Sequence, residues 1–214
     1  MGATVMTQIS NKHLITSTEE LEAHYGVVSP AAMDKEQNHL TEHYKAFVDA
    51  SPFVLVATIG PEGLDCSPRG DPAGFVRVHD EKTVILPDRR GNNRLDTLRN
   101  VVRDPRISLL FLIPGAGETL RINGHAKIST DPELCATFTM QGKNPTSVLI
   151  VTIDVVYFQC KKALARSKLW SMEAQSRAEN LPTAGQMIEA MSKEPFDGTA
   201  YDKAYPERQK KTIY

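Results

Sequence analysis

The stretch TVILPDRRGNNRLDTLRN (83–100) runs from an apolar strand through a donor-rich turn into a helix. Its first five residues are short, β-branched and apolar, which is typical of a strand. Leu95, Leu98 and one of the two valines that follow have the spacing of a helix's buried face. Between these elements, residues 89–94 hold three arginines, two asparagines and one glycine. The sequence therefore predicts a strand-to-helix junction that binds a ligand with many hydrogen-bond acceptors.

The turn has the features of an anion site, and Asn92 or Asn93 is the predicted N-cap of the helix. A helix N-terminus leaves backbone N–H groups unpaired and carries partial positive charge, so it favours an anion. Gly91 allows the backbone to approach that anion closely, and Asp88 is interpreted as a partner of an arginine or of a polar ligand edge. Guanidinium groups, which bind phosphate through paired hydrogen bonds, flank the glycine: Arg89, Arg90 and Arg94.

Two other segments carry basic residues near strand ends. In SPRGDP (67–72), Arg69 stands between a proline and a glycine, a rigid setting that suits an arginine with one required direction. CKKALARSKLW (160–170) follows a long apolar run and contains the only tryptophan, Trp170. The plainer interpretation of each group is a set of solvated surface charges. For residues 89–94 taken together, we favour a bound phosphate monoester.

Bulk composition limits the function classes. The 214 residues are 41% hydrophobic, which suits one globular domain with a real core. A net charge of −1 gives no general argument for binding nucleic acid or membranes. The start of the chain does not have the order of a signal peptide. Cys66, Cys135 and Cys160 have no CxxC spacing, which indicates reduced, buried thiols in a cytoplasmic protein.

The chain is predicted to have three parts. Residues 1–50 are helical, and their second helix runs from Ser29-Pro30 to Ser51-Pro52. Residues 51–170 contain six or seven short strands and two short helices without βαβ repetition. That pattern predicts a mainly β (α+β) domain with an antiparallel barrel or sandwich.

Residues 171–214 form the third part. LPTAGQMIEAM (181–191) is predicted to be one small helix. The last twenty residues are charged and aromatic without helical periodicity. We interpret this tail as a flexible arm or as a segment that docks on another surface.

Several blocks in this order resemble a known family. They are SPRGDPAGFV (67–76), TVILPDRRGNNRLDTLRN (83–100), ETLRINGHAKI (118–128) and CKKALARSKLW (160–170). The sequence resembles the pyridoxamine 5′-phosphate oxidase-like superfamily of FMN-binding split-barrel flavoproteins, and in particular its FMN-dependent, oxidase-related subgroup. The resemblance implies a six-stranded antiparallel Greek-key split barrel with peripheral helices. It also implies a homodimer that binds FMN at the subunit interface.

The resemblance further implies a cofactor site with two walls. The first wall comes from two strand ends and the start of the following helix: Arg69, Leu86, Pro87, Asp88, Arg89, Asn92, Asn93 and Arg94. The second wall comes from the other subunit: Thr119, Arg121, Asn123, Lys162, Arg166, Ser167 and Trp170. No catalytic acid or base and no metal site is assigned.

The predicted function is that of an FMN-dependent oxidoreductase acting on a small organic substrate. The oxidases that make pyridoxal phosphate carry two substrate-binding segments, and here those regions read QGKNPTSVLIV (141–151) and ERQKKTIY (207–214). Both devices are missing, so a substrate other than pyridoxamine phosphate is expected. Two alternatives stay open: a non-catalytic flavin-binding, electron-transfer or sensor protein, and a split barrel that uses haem or a deazaflavin. No nucleic acid or membrane partner is predicted.

Overall fold

The computed structural model of the protein describes residues 10–176 and 180–214. These residues fall into two compact units that divide after Lys35. In the first unit, a 3-10 turn at Asn11–His13 is followed by helices α1 (Thr18–His24) and α2 (Pro30–Asp34). None of the residues of these three elements is buried.

The second unit, Glu36–Tyr214, contains the sheet and the remaining helices. Its strands are β1 (Phe53–Gly60), β2 (Gly63–Gly70), β3 (Arg77–Asp80), β4 (Thr83–Asp88), β5 (Arg106–Leu112), β6 (Thr119–Ser129) and β7 (Ser147–Gln159). Its helices are α3 (Glu42–Ala50), α4 (Asp96–Arg103), α5 (Pro132–Thr137), α6 (Lys162–Ser167), α7 (Met172–Ser176), α8 (Ala184–Met191) and α9 (Gly198–Thr212).

All seven strands form one antiparallel sheet in the order β2-β1-β5-β6-β7-β4-β3. The prediction of a mainly β, antiparallel fold with helices is confirmed. The prediction of a six-stranded barrel is wrong, because the sheet has seven strands and two edges, β2 and β3. The seventh strand arises because residues 77–80 turn back tightly and pair with β4 alone.

The sheet curls, so that its edge strand β2 approaches β4. Four strands lie between β2 and β4 in the ladder, yet Arg69 Nη2 of β2 lies 3.2 Å from Asp88 Oδ1 of β4. The curl encloses one apolar core, in which Val54 pairs with Phe111 and Val56 with Leu109, all fully buried. Each such side chain contributes about 2 kcal/mol to folding through removal from water.

Helix α4 is fixed on β1 by a glycine. A Cβ at Gly60 would lie 2.1 Å from Asn100 Oδ1, so only glycine leaves room for the asparagine of α4. In that space, Asn100 Nδ2 donates a hydrogen bond to Thr58 Oγ1 at 3.2 Å. This contact sets the position of α4 and therefore of the loop that leads into it.

The predicted start and buried face of α4 are wrong in part. The helix begins at Asp96 and its N-cap is Leu95, with no side-chain cap, so neither Asn92 nor Asn93 caps it. Leu95 is exposed, while Leu98 and Val101 pack inward as predicted. Asn93 (φ 59°) and Leu95 (φ 62°) both take left-handed conformations, which turn the chain before helical geometry can begin.

Two other helix predictions are corrected. The single helix expected from residue 30 to residue 50 is interrupted, because Gln37 forms a bridge with Val156 between α2 and α3. The tail, expected to lack regular structure, contains the 15-residue helix α9, which Asp197 caps by accepting from Ala200 N at 2.8 Å. Beyond α9, Tyr214 contacts Asp71, so docking is the alternative that the structure shows.

Cys135 is buried, but Cys66 and Cys160 are exposed free thiols, so the prediction of three buried thiols is wrong for two of them. Across residues 10–176 and 180–214, none of the helices combines the length and apolar character that crossing a bilayer requires. The cytoplasmic location stays a prediction.

Candidate functional site

A cavity of about 1070 Å³ lies where several chain segments meet at one end of the curled sheet. Its lining comes from β2, the end of β4, the loop 89–95, the first turn of α4, the end of β6, the loop 143–147 and Tyr214. We call this space the larger cavity.

Strand β2 supplies one side of the larger cavity. Asp65, Ser67 and Arg69 are alternate residues of the strand, so their side chains project to the same face. The Thr97 Oγ1 hydroxyl donates to Asp65 Oδ2 at 2.5 Å, and Ser67 Oγ donates to Asp65 Oδ1 at 3.1 Å. The Asp65 carboxylate is thus held in place by two hydroxyl groups.

Arg69 is paired across the curl with Asp88. Their side chains are 26% and 14% exposed, so the ion pair is largely withdrawn from water. Burial raises the pKa of Asp88 above its ordinary value, and the charge of Arg69 opposes that rise. Asp88 therefore orients Arg69. We had interpreted Asp88 as an acceptor for a polar ligand edge or as the partner of Arg89 or Arg90, and its arginine partner is instead Arg69.

Arg89 has a different carboxylate partner. Its Nε donates to Asp71 Oδ2 at 2.8 Å, and its Nη1 donates to the Phe138 carbonyl oxygen at 2.7 Å. The Asp71 side chain is only 1% exposed. Arg89 is thus an anchor that neutralises a buried carboxylate, as well as a lining residue.

The loop between β4 and α4 presents exposed donors to the larger cavity: Arg90, Gly91, Asn92, Asn93 and Arg94. The Asn92 side-chain oxygen accepts from the Arg94 backbone N–H at 3.1 Å, which tightens the loop. Arg94 Nε contacts Asp96 Oδ2 at 2.8 Å, but the pair is open to water. Among the residues that the structure describes, Arg90 has no carboxylate partner.

Sequence reasoning missed the loop that faces these donors: Lys143, Asn144, Pro145, Thr146 and Ser147. The loop comes close because β4 pairs with β7 in antiparallel register, which sets Asp88 opposite Ser147. Pairing the strand candidate TVILP (83–87) with VLIVTIDVVYF (148–158) would have placed this segment here.

Tyr214 was also missed. Its hydroxyl donates to Asp71 Oδ1 at 2.5 Å, and its ring centre lies 5.5 Å from the Arg89 guanidinium carbon. Lys143 Nζ donates to the Tyr214 carbonyl oxygen at 2.6 Å. The hydrogen bond to Asp71 raises the pKa of the Tyr214 phenol. No pattern in the tail sequence indicates this position, because it depends on contacts far apart in the chain.

The two remaining first-wall residues do not line the larger cavity. Leu86 is a core side chain that is 1% exposed. Pro87 lines a neighbouring space of about 530 Å³, which we call the smaller cavity.

The second wall lies elsewhere in the chain. Thr119, Arg121 and Asn123 stand in the first half of β6, whereas the larger cavity reaches β6 only at Ile128. From Arg121 to Ile128 the strand advances about 23 Å. Three further residues of this wall are exposed on α6: Lys162, Arg166 and Ser167.

Several second-wall side chains are bonded within the chain. Arg121 Nη1 donates to Tyr157 Oη at 3.0 Å, and Asn123 Oδ1 accepts from Ser108 Oγ at 2.7 Å. Trp170 Nε1 donates to the Ala116 carbonyl oxygen at 2.8 Å. One chain therefore does not bring the two predicted walls together.

The charge of the larger cavity favours an anion. Five cationic side chains line it: Arg69, Arg89, Arg90, Arg94 and Lys143. Three carboxylates line it as well: Asp65, Asp88 and Asp96. The excess of cations and the amides of the loop suit a ligand that carries a phosphate.

A sequence model described as pyridoxamine 5′-phosphate oxidase matches residues 40–160, which is more than half of the chain. The chain belongs to the pyridoxamine 5′-phosphate oxidase family. The matched residues include all seven described strands and the whole first wall. No curated relative matches the sequence.

Solved structures of other proteins are similar to a little over half of this chain. HupZ of Group A Streptococcus is 20% identical, with a TM-score of 0.45 over 55% of this chain and 91% of its own. A Lactobacillus delbrueckii protein named for pyridoxamine 5′-phosphate oxidase is 19% identical, with a TM-score of 0.43 over 56% and 95%. An FMN-binding protein of Syntrophomonas wolfei is 11% identical, with a TM-score of 0.42 over 53% and 82%.

Proposed function

We propose that the protein is an FMN-dependent oxidoreductase that acts on a small organic substrate. The observation that carries the proposal is the donor-rich loop 89–94 at the edge of the larger cavity, in a chain of the pyridoxamine 5′-phosphate oxidase family. The volume of about 1070 Å³ is at the upper end of small-molecule sites, which span roughly 300–1,000 Å³.

The residues present fit a flavin phosphate. Arg90 and Arg94 are exposed at the cavity, and Asn92 and Asn93 add amide donors. The ion pair of Arg94 with Asp96 is open to water, so Arg94 can exchange it for a bound anion. Arg69 is oriented by Asp88 and supplies a further guanidinium group. Bound FMN would exchange a hydride with the substrate, while the protein holds the cofactor and sets its surroundings.

We further propose that the protein acts as a homodimer, in which the partner subunit supplies the second wall. The support is the distance of about 23 Å along β6 between Arg121 and the nearest β6 residue of the larger cavity. A two-fold dimer can bring one copy's second wall to the other copy's first wall.

The test of the phosphate site compares FMN with riboflavin, which lacks the phosphate. We expect wild-type protein to bind FMN at least about tenfold more tightly than riboflavin, since charge-assisted hydrogen bonds are strong. The double variant Asn92→Ala/Arg94→Ala should lose most of this preference and keep its riboflavin affinity. Flavin fluorescence titration gives both dissociation constants.

Arg106→Ala is the matched control, because Arg106 is an exposed arginine whose ion pair with Asp104 lies outside both cavities. We expect it to bind both flavins like wild type. Equal affinity of the wild type for FMN and riboflavin would contradict the proposal, as would a double variant that keeps the preference.

A second measurement separates an enzyme from a non-catalytic flavin protein. The FMN-loaded protein is mixed with NADH or NADPH under anaerobic conditions, and air is then admitted. Bleaching and return of the flavin absorbance would support the oxidoreductase. A flavin that no reductant bleaches would favour the binding module, and a purified protein with haem or deazaflavin absorbance would overturn the FMN assignment.

A further inference from the structure

The larger and smaller cavities meet at a few shared residues: Arg69, Arg89, Arg90, Gly91 and Tyr214. Four of these belong to the first wall or to the loop beside it. Tyr214 comes from the far end of the described chain and reaches this boundary after helix α9. Tyr214 therefore lies at the boundary that the two cavities share, together with residues of the donor-rich loop.

A hydrogen bond and a cation–π contact hold the Tyr214 side chain in place. Its hydroxyl donates to Asp71 Oδ1, while Asp71 Oδ2 accepts from Arg89 Nε. Because the Asp71 side chain is 1% exposed, the carboxylate that receives the phenol is fixed and well shielded from water. The Arg89 guanidinium also faces the ring at 5.5 Å.

We propose that Tyr214 is a specificity-determining residue, which closes the phosphate end of the larger cavity and selects a flavin mononucleotide over a flavin dinucleotide. The inference rests on the proposed function, since it takes residues 89–94 as the phosphate site. A mononucleotide ends at its phosphate. A dinucleotide continues from that phosphate into a second phosphate and a nucleoside, and these need space beyond the loop.

The smaller cavity adjoins the larger one at Tyr214, which lines both. Its volume of about 530 Å³ falls within the roughly 300–1,000 Å³ of small-molecule sites. Three arginines and one carboxylate residue, Asp71, line it together with Phe75 and Pro87; the arginines are Arg69, Arg89 and Arg90. That lining suits a second phosphate and a flat base, so the ring of Tyr214 is what keeps a nucleoside extension out.

The test measures dissociation constants of FMN and FAD for wild type and Tyr214→Ala by flavin fluorescence. We expect wild type to prefer FMN, and Tyr214→Ala to bind FAD about tenfold more tightly than wild type does, because the steric barrier is gone. The FMN affinity of the variant should change by less than about threefold. Tyr205→Ala is the control, since Tyr205 lies on α9 and lines neither cavity.

The outcomes separate this inference from the proposed function. A preference for FMN over riboflavin that survives in Tyr214→Ala, with an unchanged ratio of FMN to FAD affinity, overturns the role of Tyr214 and leaves the phosphate site standing. A wild type that binds FAD as tightly as FMN also overturns it. Equal binding of FMN and riboflavin by the wild type instead refutes the phosphate site itself. Urea unfolding of both tyrosine variants verifies that they fold.

Discussion

Polar side chains surround both ends of strand β6, but those at one end line a cavity and those at the other are bonded within the chain. Near Ile128, the polar groups of five separate segments face a cavity, and loop donors such as Arg90 are exposed to it. Near Arg121, the polar side chains are hydrogen-bonded to their own chain, as Arg121 is to Tyr157. Within one chain, therefore, an arginine near a strand end faces a cavity only where the curl of the sheet leaves a space in front of it.

Two arginines of the loop after β4, Arg89 and Arg94, also differ in what they contribute to stability. Arg89 neutralises a carboxylate that water does not reach, whereas Arg94 pairs with Asp96 in the open. Two arginines five positions apart in one loop are thus an anchor and a proposed ligand donor. Three experiments break or sharpen this comparison.

The largest effect is expected from Arg89→Ala. Removal of the guanidinium leaves the Asp71 carboxylate buried without a cation, so we expect the free energy of unfolding to fall by about 3 kcal/mol. Urea unfolding measures the change. Arg94→Ala serves as the matched control and should leave stability unchanged, because its ion pair is exposed. Equal losses in the two variants would show that the Arg89 pair is not an anchor.

A mixing experiment tests whether the two walls come from different subunits. Asn92→Ala/Arg94→Ala and Arg121→Ala should each bind FMN weakly, since each damages one wall. After subunit exchange in an equimolar mixture, about a quarter of the sites should recover, because half of the dimers are mixed and each mixed dimer has one intact site. Titration of the FMN stoichiometry measures the recovery.

The control for mixing pairs the same double variant with Arg69→Ala. Both changes lie on the first wall, so no mixed dimer has an intact site and no recovery is expected. Recovery in this control, or its absence in the experiment despite verified exchange, would mean that the second wall does not complete the site from a partner.

The smallest effect is expected from Asp88→Asn. Burial raises the folded-state pKa of Asp88 above the ordinary 3.8, so the folded protein holds this proton more tightly than the unfolded chain does. The resulting stabilisation is present at low pH and is lost as the pH rises through the raised pKa. Relative to Asp88→Asn, wild type should therefore lose stability as the pH rises, measured by urea unfolding. A relative gain would contradict the raised pKa.

Much of the fold was predictable because strand alternation is local. Val54 and Val56 alternate with half-exposed neighbours, and that pattern marks β1 without any knowledge of its partners. The pairing of β4 with β7, and the edge strand β3, depend on contacts between distant segments. Alternation does not encode these contacts. The pattern allowed six or seven strands, but it did not give their order, and the six-stranded barrel that the resemblance implied was wrong.

The site divides in the same way. Arg94 and Asn92 belong to one short segment whose composition indicates an anion, so sequence reasoning found them. Lys143 and Tyr214 reach the same space through the β4–β7 register and the docking of the tail. The residues next to Lys143 and Tyr214 in the sequence do not indicate that these two line the cavity. The second wall stays a prediction.

The curl of the sheet has one more consequence. Strand β2 has backbone partners only in β1, so the seam between β2 and β4 is spanned by side chains such as the Arg69–Asp88 pair. The gap between β2 and β4 can therefore widen without breaking a backbone hydrogen bond of the sheet. A molecule bound across this gap contacts both strands and holds them together. The melting temperature of the protein then rises with the concentration of that molecule.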